Sequence, residues 1–124
     1  MKRCFTNILS DDVAKSAQFY ESLLGLKPNF NSDWFVTLVH DDASGFELGI
    51  LQKTHDVVPE NIQDSPAGVI LTFVVPDCEA VFQKATQMDA DILEPPTNMP
   101  YGQRRLLLRD PDGTVIDVSS LIND

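Results

Sequence analysis

Two carboxylates stand where the pattern calls for apolar side chains. Glu47 lies within Phe46-Glu47-Leu48 and Asp117 within Ile116-Asp117-Val118, each a lone acid in a strand-like apolar run. An acid so placed can hold a cation, accept from a hydroxyl-rich ligand, act as a general base, or give one oxygen to a metal. It can equally reach solvent near a strand end or pair with a nearby Arg, since a buried carboxylate is costly without a partner. Arg104 and Arg105 are neighbours on one strand and point to opposite faces, so only one can join such a site. Arg104 is open to three uses: pairing with Asp117 or Glu47, recognition of an anionic group, or a structural salt bridge. Trp34, Phe35, Phe30 and Tyr101 can supply an aromatic wall for a planar ligand. Trp34 and Phe35 alternate in facing, which puts one of them in the core.

These residues must be positioned by two helices and eight strands. Residues 11–25, DDVAKSAQFYESLLG, carry Val13, Ala17, Tyr20 and Leu24 at helical spacing, with Ala14, Phe19 and Leu23 widening the face. Asp12 is a capping residue at the start, and Gly25 can close the end. Residues 77–88, DCEAVFQKATQM, repeat the plan, with Asp77 as cap and Val81, Phe82, Ala85 and Met88 as the buried stripe. Short apolar runs before and after each helix read as strands: 3–10, 26–30, 34–40 and 46–52, then 69–75, 90–95, 103–109 and 114–120. The polar stretch 53–66, with Pro59 and Pro66, reads as a linker with room for a short helical turn. Asp110-Pro111-Asp112-Gly113 reads as a turn that aims the strand carrying Asp117.

The order is therefore β-α-β-β-β twice, an α+β single domain (1–124) made of modules at about 1–52 and 67–124. The offsets repeat as well. Phe5 precedes the cap Asp12 by seven residues, as Ile70 precedes Asp77, and each module ends on the strand that holds its acid. Two copies of one plan imply a pseudo-twofold relation, with corresponding positions facing across a shared cavity.

With FY-x3-LGL at 19–26, Gly102-x-Arg104, and DPDG followed four residues on by Asp117, nearly the whole chain resembles the vicinal oxygen chelate superfamily. That group includes glyoxalase I, extradiol dioxygenases and bleomycin-resistance proteins. The resemblance implies paired βαβββ modules forming a curled mixed sheet around a cleft, and a homodimer in which ligand sites can lie at the subunit interface. It places the metal-ligand positions of metal-using members on Phe5, Glu47, Ile70 and Asp117. Two of these are apolar here, and two acids without an imidazole are a poor cage for Zn²⁺, Ni²⁺ or Fe²⁺. His40 and His55 fall at a strand end and in the linker, where they read as solvent-exposed.

Bulk properties narrow the partners. Nineteen acids against nine basic residues give a net charge of −10, which excludes a phosphate backbone as the natural partner. No apolar run approaches the roughly 20 residues of a membrane span, and no signal-peptide core is present. Cys4 and Cys78 form no metal or disulfide motif and read as buried, reduced thiols of a cytoplasmic protein.

The resulting expectation is a metal-independent small-molecule-binding protein with no cofactor, of the glyoxalase/bleomycin-resistance type, sequestering an antibiotic or a similar organic, including cationic, compound. Phe5, Trp34, Glu47, Ile70, Tyr101, Arg104 and Asp117 are its candidate ligand contacts. The alternative is a glyoxalase-like lyase or isomerase that uses Glu47 and Asp117 with a weakly bound divalent metal. A third class is a ligand-sensing or scaffolding dimer without chemistry of its own.

Overall fold

The computed structural model describes residues 1–122 and divides into two compact units, Met1–Pro66 and a second beginning at Ala67. The first runs β1 (Thr6–Ser10), α1 (Val13–Leu24), β2 (Lys27–Asn31), β3 (Phe35–Val39) and β4 (Leu48–Gln52). The second runs β5 (Ile70–Val74), α2 (Cys78–Gln87), β6 (Asp91–Asn98), β7 (Gln103–Arg109) and β8 (Val115–Leu121). The expected order of elements is thus present: an α+β fold of two βαβββ modules, each with a four-stranded mixed sheet. The segment between them contains a single 3₁₀ turn, Glu60–Ile62.

Both sheets have one topology. The strand order is β1-β4-β3-β2 in the first and β5-β8-β7-β6 in the second. The first and last strands of each module pair in parallel, and the other pairings are antiparallel. Each helix packs on its own unit's sheet, α1 on β3 and β4, α2 on β6, β7 and β8.

The helices begin and end as their sequence dictates. The Asp12 carboxylate accepts from the Lys15 amide at 3.1 Å, and Asp77 accepts from the Glu79 amide at 3.0 Å. Gly25 adopts φ +71° and its N–H donates to Glu21 O, which closes α1. Beneath α1, Val13, Ala17, Phe19, Tyr20 and Leu23 meet Ile8, Val36, Leu38, Leu48 and Ile50 in the first core. Ser16, also on that buried face, accepts at Oγ from the Ser10 hydroxyl at 3.2 Å.

The second core is narrower. Cys78 and Ala85, seven residues apart on α2, are fully buried against Leu106, Leu108, Ile116 and Val118. Val81, Phe82 and Met88, expected as part of the buried stripe, are only half-buried. Alanine and cysteine at the centre of the contact let the helix approach the sheet closely, leaving the larger flanking residues at its margins. Cys4 also departs from expectation: it is exposed, because it precedes β1 and has no ladder partner, while Cys78 is buried.

Asp110–Gly113 is a built turn. Asp110 is 5% exposed, and its Oδ1 accepts from the amides of Asp112 and Thr114 at 2.8 and 2.9 Å. The Gly113 amide donates to Asp110 O, and Gly113 sits at φ +92°, a conformation that a β-branched residue adopts only under strain. Gly113→Val is therefore expected to lower stability by about 1–3 kcal/mol, read as a fall in Tm. An unchanged Tm would show that the turn tolerates a Cβ.

Candidate functional site

Strand alternation divides each sheet into a face under its helix and a helix-free face. In the first unit Ile8, Ile50 and Val36 form one register row under α1, and Asn7, Gly49 and Thr37 form the next row on the opposite face. Leu9, Leu51 and Phe35 follow on that same face. A Cβ at Gly49 would stand 1.9 Å from Asn7 Oδ1 and 3.2 Å from a Phe35 ring carbon. The absent side chain lets the Asn7 amide cross the middle of the sheet, a use of strand glycine that fits close approach.

Glu47 and Phe5 stand one residue before β4 and β1, not inside strands as the sequence suggests. Consecutive turns after β3, with Ala43 N–H donating to His40 O and Phe46 N–H to Ala43 O, take the backbone away before Glu47 can join the ladder. The side chain of Glu47 is nonetheless only 9% exposed. It accepts from Arg3 Nε at Oε1 (2.8 Å) and from Arg3 Nη2 at Oε2, a two-pronged guanidinium–carboxylate pair. The Arg3 Cζ lies 4.6 Å from the centroid of the Phe5 ring, within cation–π range. The hydrogen bond from Arg3 first, its charge next among the stabilising causes, and the Thr37 hydroxyl together hold the Glu47 carboxyl below its usual range. Thr37 is buried, and its Oγ1 also accepts from the Phe30 amide at 3.1 Å.

In the second unit the helix-free face carries the row Thr72–Asp117–Leu107, flanked by Ile70–Val115–Arg109 and Val74–Ser119–Arg105. Asp117 accepts from Thr72 Oγ1 at 3.0 Å and from Ser119 Oγ at 2.5 Å. Arg105 reaches Glu94 at 3.5 Å, and its buried Nε has no hydrogen-bond partner among the described residues. Ile70 and Val74 are 60% and 64% exposed on the same face.

Arg104 lies on the other side. It shares the α2 face with Leu106 and Leu108, donates through Nε to Glu79 Oε1 at 2.6 Å, and through Nη1 to Asn98 Oδ1 at 3.0 Å. Of the three uses open to it, the salt bridge is the one observed, while Arg105 occupies the face of Asp117. Trp34 is half-buried, with its ring stacked on His55 at 3.8 Å and 11°, and with Phe35 and Phe30 continuing the aromatic series. Neither Trp34 nor Phe35 is a core residue. His40 and His55 are both half-buried, not solvent-exposed as the sequence suggests, and each accepts at Nδ1 from a backbone amide two residues on. Tyr101 is exposed in the turn between β6 and β7.

The donor chemistry of these positions does not suit a transition metal. Phe5 and Ile70 have no ligand atom, Glu47 is engaged by Arg3, and Asp117 by two hydroxyls. Among the described residues no group of three or more His, Cys, Asp or Glu side chains is placed to hold a metal ion. No helix among them is long and apolar enough to cross a membrane.

The family model for the Glyoxalase/Bleomycin resistance protein/Dioxygenase superfamily matches residues 5–118. The chain belongs to this superfamily. Solved structures agree in fold. A glyoxalase/bleomycin resistance protein/dioxygenase family enzyme from Burkholderia phytofirmans PsJN is 19% identical, with TM-score 0.80 over 95% of this chain and 97% of that one. A glyoxalase-related enzyme from Fulvimarina pelagi is 22% identical, with TM-score 0.77 over 97% and 88% of the two chains. A superfamily member from Sphaerobacter thermophilus is 22% identical, with TM-score 0.77 and 97% of each chain covered. No curated protein matches the chain significantly.

Sequence reasoning singled out the two acids but missed what holds them. Thr72 and Ser119 are small polar residues in strands, a pattern that carries no signal until the register is known. Arg3 sits in an N-terminal stretch whose composition carries no signal for a partner 44 residues away.

Two outcomes are expected. Gly49→Ala displaces the exposed Asn7 amide while changing stability by less than about 1 kcal/mol, seen as a moved Asn7 side-chain NMR signal at nearly constant Tm. A large drop in Tm would mean that Phe35 cannot yield. For the pair, the lowered Glu47 value means that its stabilisation is present above the ordinary 4.5 and is lost as pH falls through the folded value. The Tm advantage of the wild type over Glu47→Gln should therefore be larger at pH 7 than at pH 3, and salt should shrink it.

Proposed function

We propose that this superfamily member binds a small organic molecule on its helix-free sheet faces and retains it without metal-dependent turnover. The observation that carries this reading is the pair of carboxylates, Glu47 and Asp117. Each is held in place by neighbouring donors on or beside a helix-free face, among apolar side chains and without a nitrogen or thiolate ligand atom. Each face suits a ligand with an apolar or aromatic body and a cationic or hydroxyl-bearing group: in the first unit rings against Phe5 or Phe35 and polar atoms against Glu47, in the second an apolar part against Ile70 or Leu107 and polar atoms against Asp117 and Arg105. Sequestration of an antibiotic or similar compound in the cytoplasm, by a homodimer, is the corresponding biological role. The exposed apolar residues Ile70 and Val74 on the edge strand β5 support association with a second copy.

A lyase or isomerase working through Glu47 has less support. A carboxylate held below its usual range by a guanidinium is a weak proton acceptor near neutrality.

The test is mass spectrometry of compounds that co-purify with the protein, together with elemental analysis. A retained organic compound at up to one equivalent per site, with protection from it scaling with protein concentration, is the expected result. Multiple turnovers of the compound, or a stoichiometric transition metal required for binding, would overturn the reading.

A further inference from the structure

Glu47 already has a ligand, and that ligand comes from the chain itself. The Arg3 guanidinium is bonded through two nitrogens to the carboxylate and lies over the Phe5 ring. A two-oxygen acceptor beside an aromatic face recognises a planar, delocalised cation, because only such a cation can donate along both oxygens and also stack. The receptor and its occupant differ in how firmly they are built. The Glu47 side chain is 9% exposed, whereas the Arg3 side chain is 59% exposed and projects from a segment that precedes β1 and forms no ladder.

We propose that Phe5 and Glu47 form a binding site for an amidinium or guanidinium group, and that Arg3 is a tethered, displaceable occupant of it. This rests on reading the first unit's helix-free face as ligand-binding, and it specifies the ligand chemistry and a control over access. A free cation must replace Arg3, so its apparent affinity is reduced by the fraction of time that Arg3 vacates the carboxylate. The exchange trades one guanidinium-type contact for another, and no charge is left buried and unpaired at either end: Glu47 keeps a cation, and Arg3 moves into water. A neutral or anionic ligand group cannot make this exchange without leaving Glu47 unpaired, so the occupant also acts as a selectivity device.

Benzamidine is a suitable probe, as a planar cation fused to an aromatic ring. Its affinity would be measured by calorimetric titration for the wild type and for Arg3→Ala, Arg3→Met and Glu47→Gln, with Tm recorded for each. Arg3→Met keeps an apolar stem over Phe5, so a general disturbance of the segment is separated from loss of the guanidinium. The expected result is binding about tenfold tighter in both Arg3 variants, the factor for an occupant present about nine-tenths of the time, and no detectable binding in Glu47→Gln. In the wild type, saturating benzamidine should also move the Arg3 Nε–H NMR signal to its free position. Equal or weaker binding in both Arg3 variants, or an unmoved Arg3 signal at saturation, would overturn the proposal. Benzamidine binding that survives Glu47→Gln but is lost in Asp117→Asn would sink this inference and leave the ligand-binding function standing. A protein that binds neither benzamidine nor any co-purified compound would sink both.

Discussion

Parallel pairing of the first and last strands of each module is the constraint on which the rest depends. It sets Thr72 beside Asp117, and it sets the start of β1 beside the start of β4, so that Phe5, Glu47 and Arg3 converge. Parallel neighbours cannot be joined by a hairpin, so the chain must leave β1 or β5 through a helix and return through an antiparallel meander. That route places the helix on one face of the sheet only. The other face is left for side chains that the core does not need, and both acids belong to that side.

The two acids are satisfied by different means. Asp117 sits within β8 and draws on the hydroxyls of Thr72 and Ser119, which are fixed to adjacent ladder positions. Glu47 sits just outside β4 and draws on Arg3, whose side chain is far more exposed than the carboxylate it serves. An acid held by short, rigid hydroxyls is positioned by neutral donors fixed in the ladder. An acid held by a long side chain from a segment outside the sheet has a counter-ion that can leave. The two acids are not equivalent in the repeated plan: Glu47 precedes Leu48, the partner of Thr6, whereas Asp117 follows Ile116, the partner of Leu71, so each has its own setting.

Much of the fold was legible in the sequence. Helical periodicity with Asp12, Gly25 and Asp77 at the boundaries located both helices, and apolar runs between polar turns located the strands, because these signals depend on residues close together in the chain. Asp110 and Gly113 announced their turn for the same reason. The half-burial of Val81, Phe82 and Met88 was not legible, since an amphipathic stripe tells which side of a helix is apolar and not how closely the sheet beneath it approaches. The exposure of Cys4 followed from where β1 begins, which propensity locates only to within a few residues.

By itself the sequence determined the two-module plan, the helix caps, the turn before β8 and the presence of one out-of-place acid per module, all consequences of local chemistry and period. Tertiary structure alone decided which arginine faces Asp117 and which partner holds Glu47. Arg104 and Arg105 are equivalent as a dipeptide, and only the register with Ser120 and Ser119 sends the first towards α2 and the second to the helix-free face. Arg3 and Glu47 are 44 residues apart, so no periodicity links them. Their contact exists because the parallel ladder brings the two strand starts side by side.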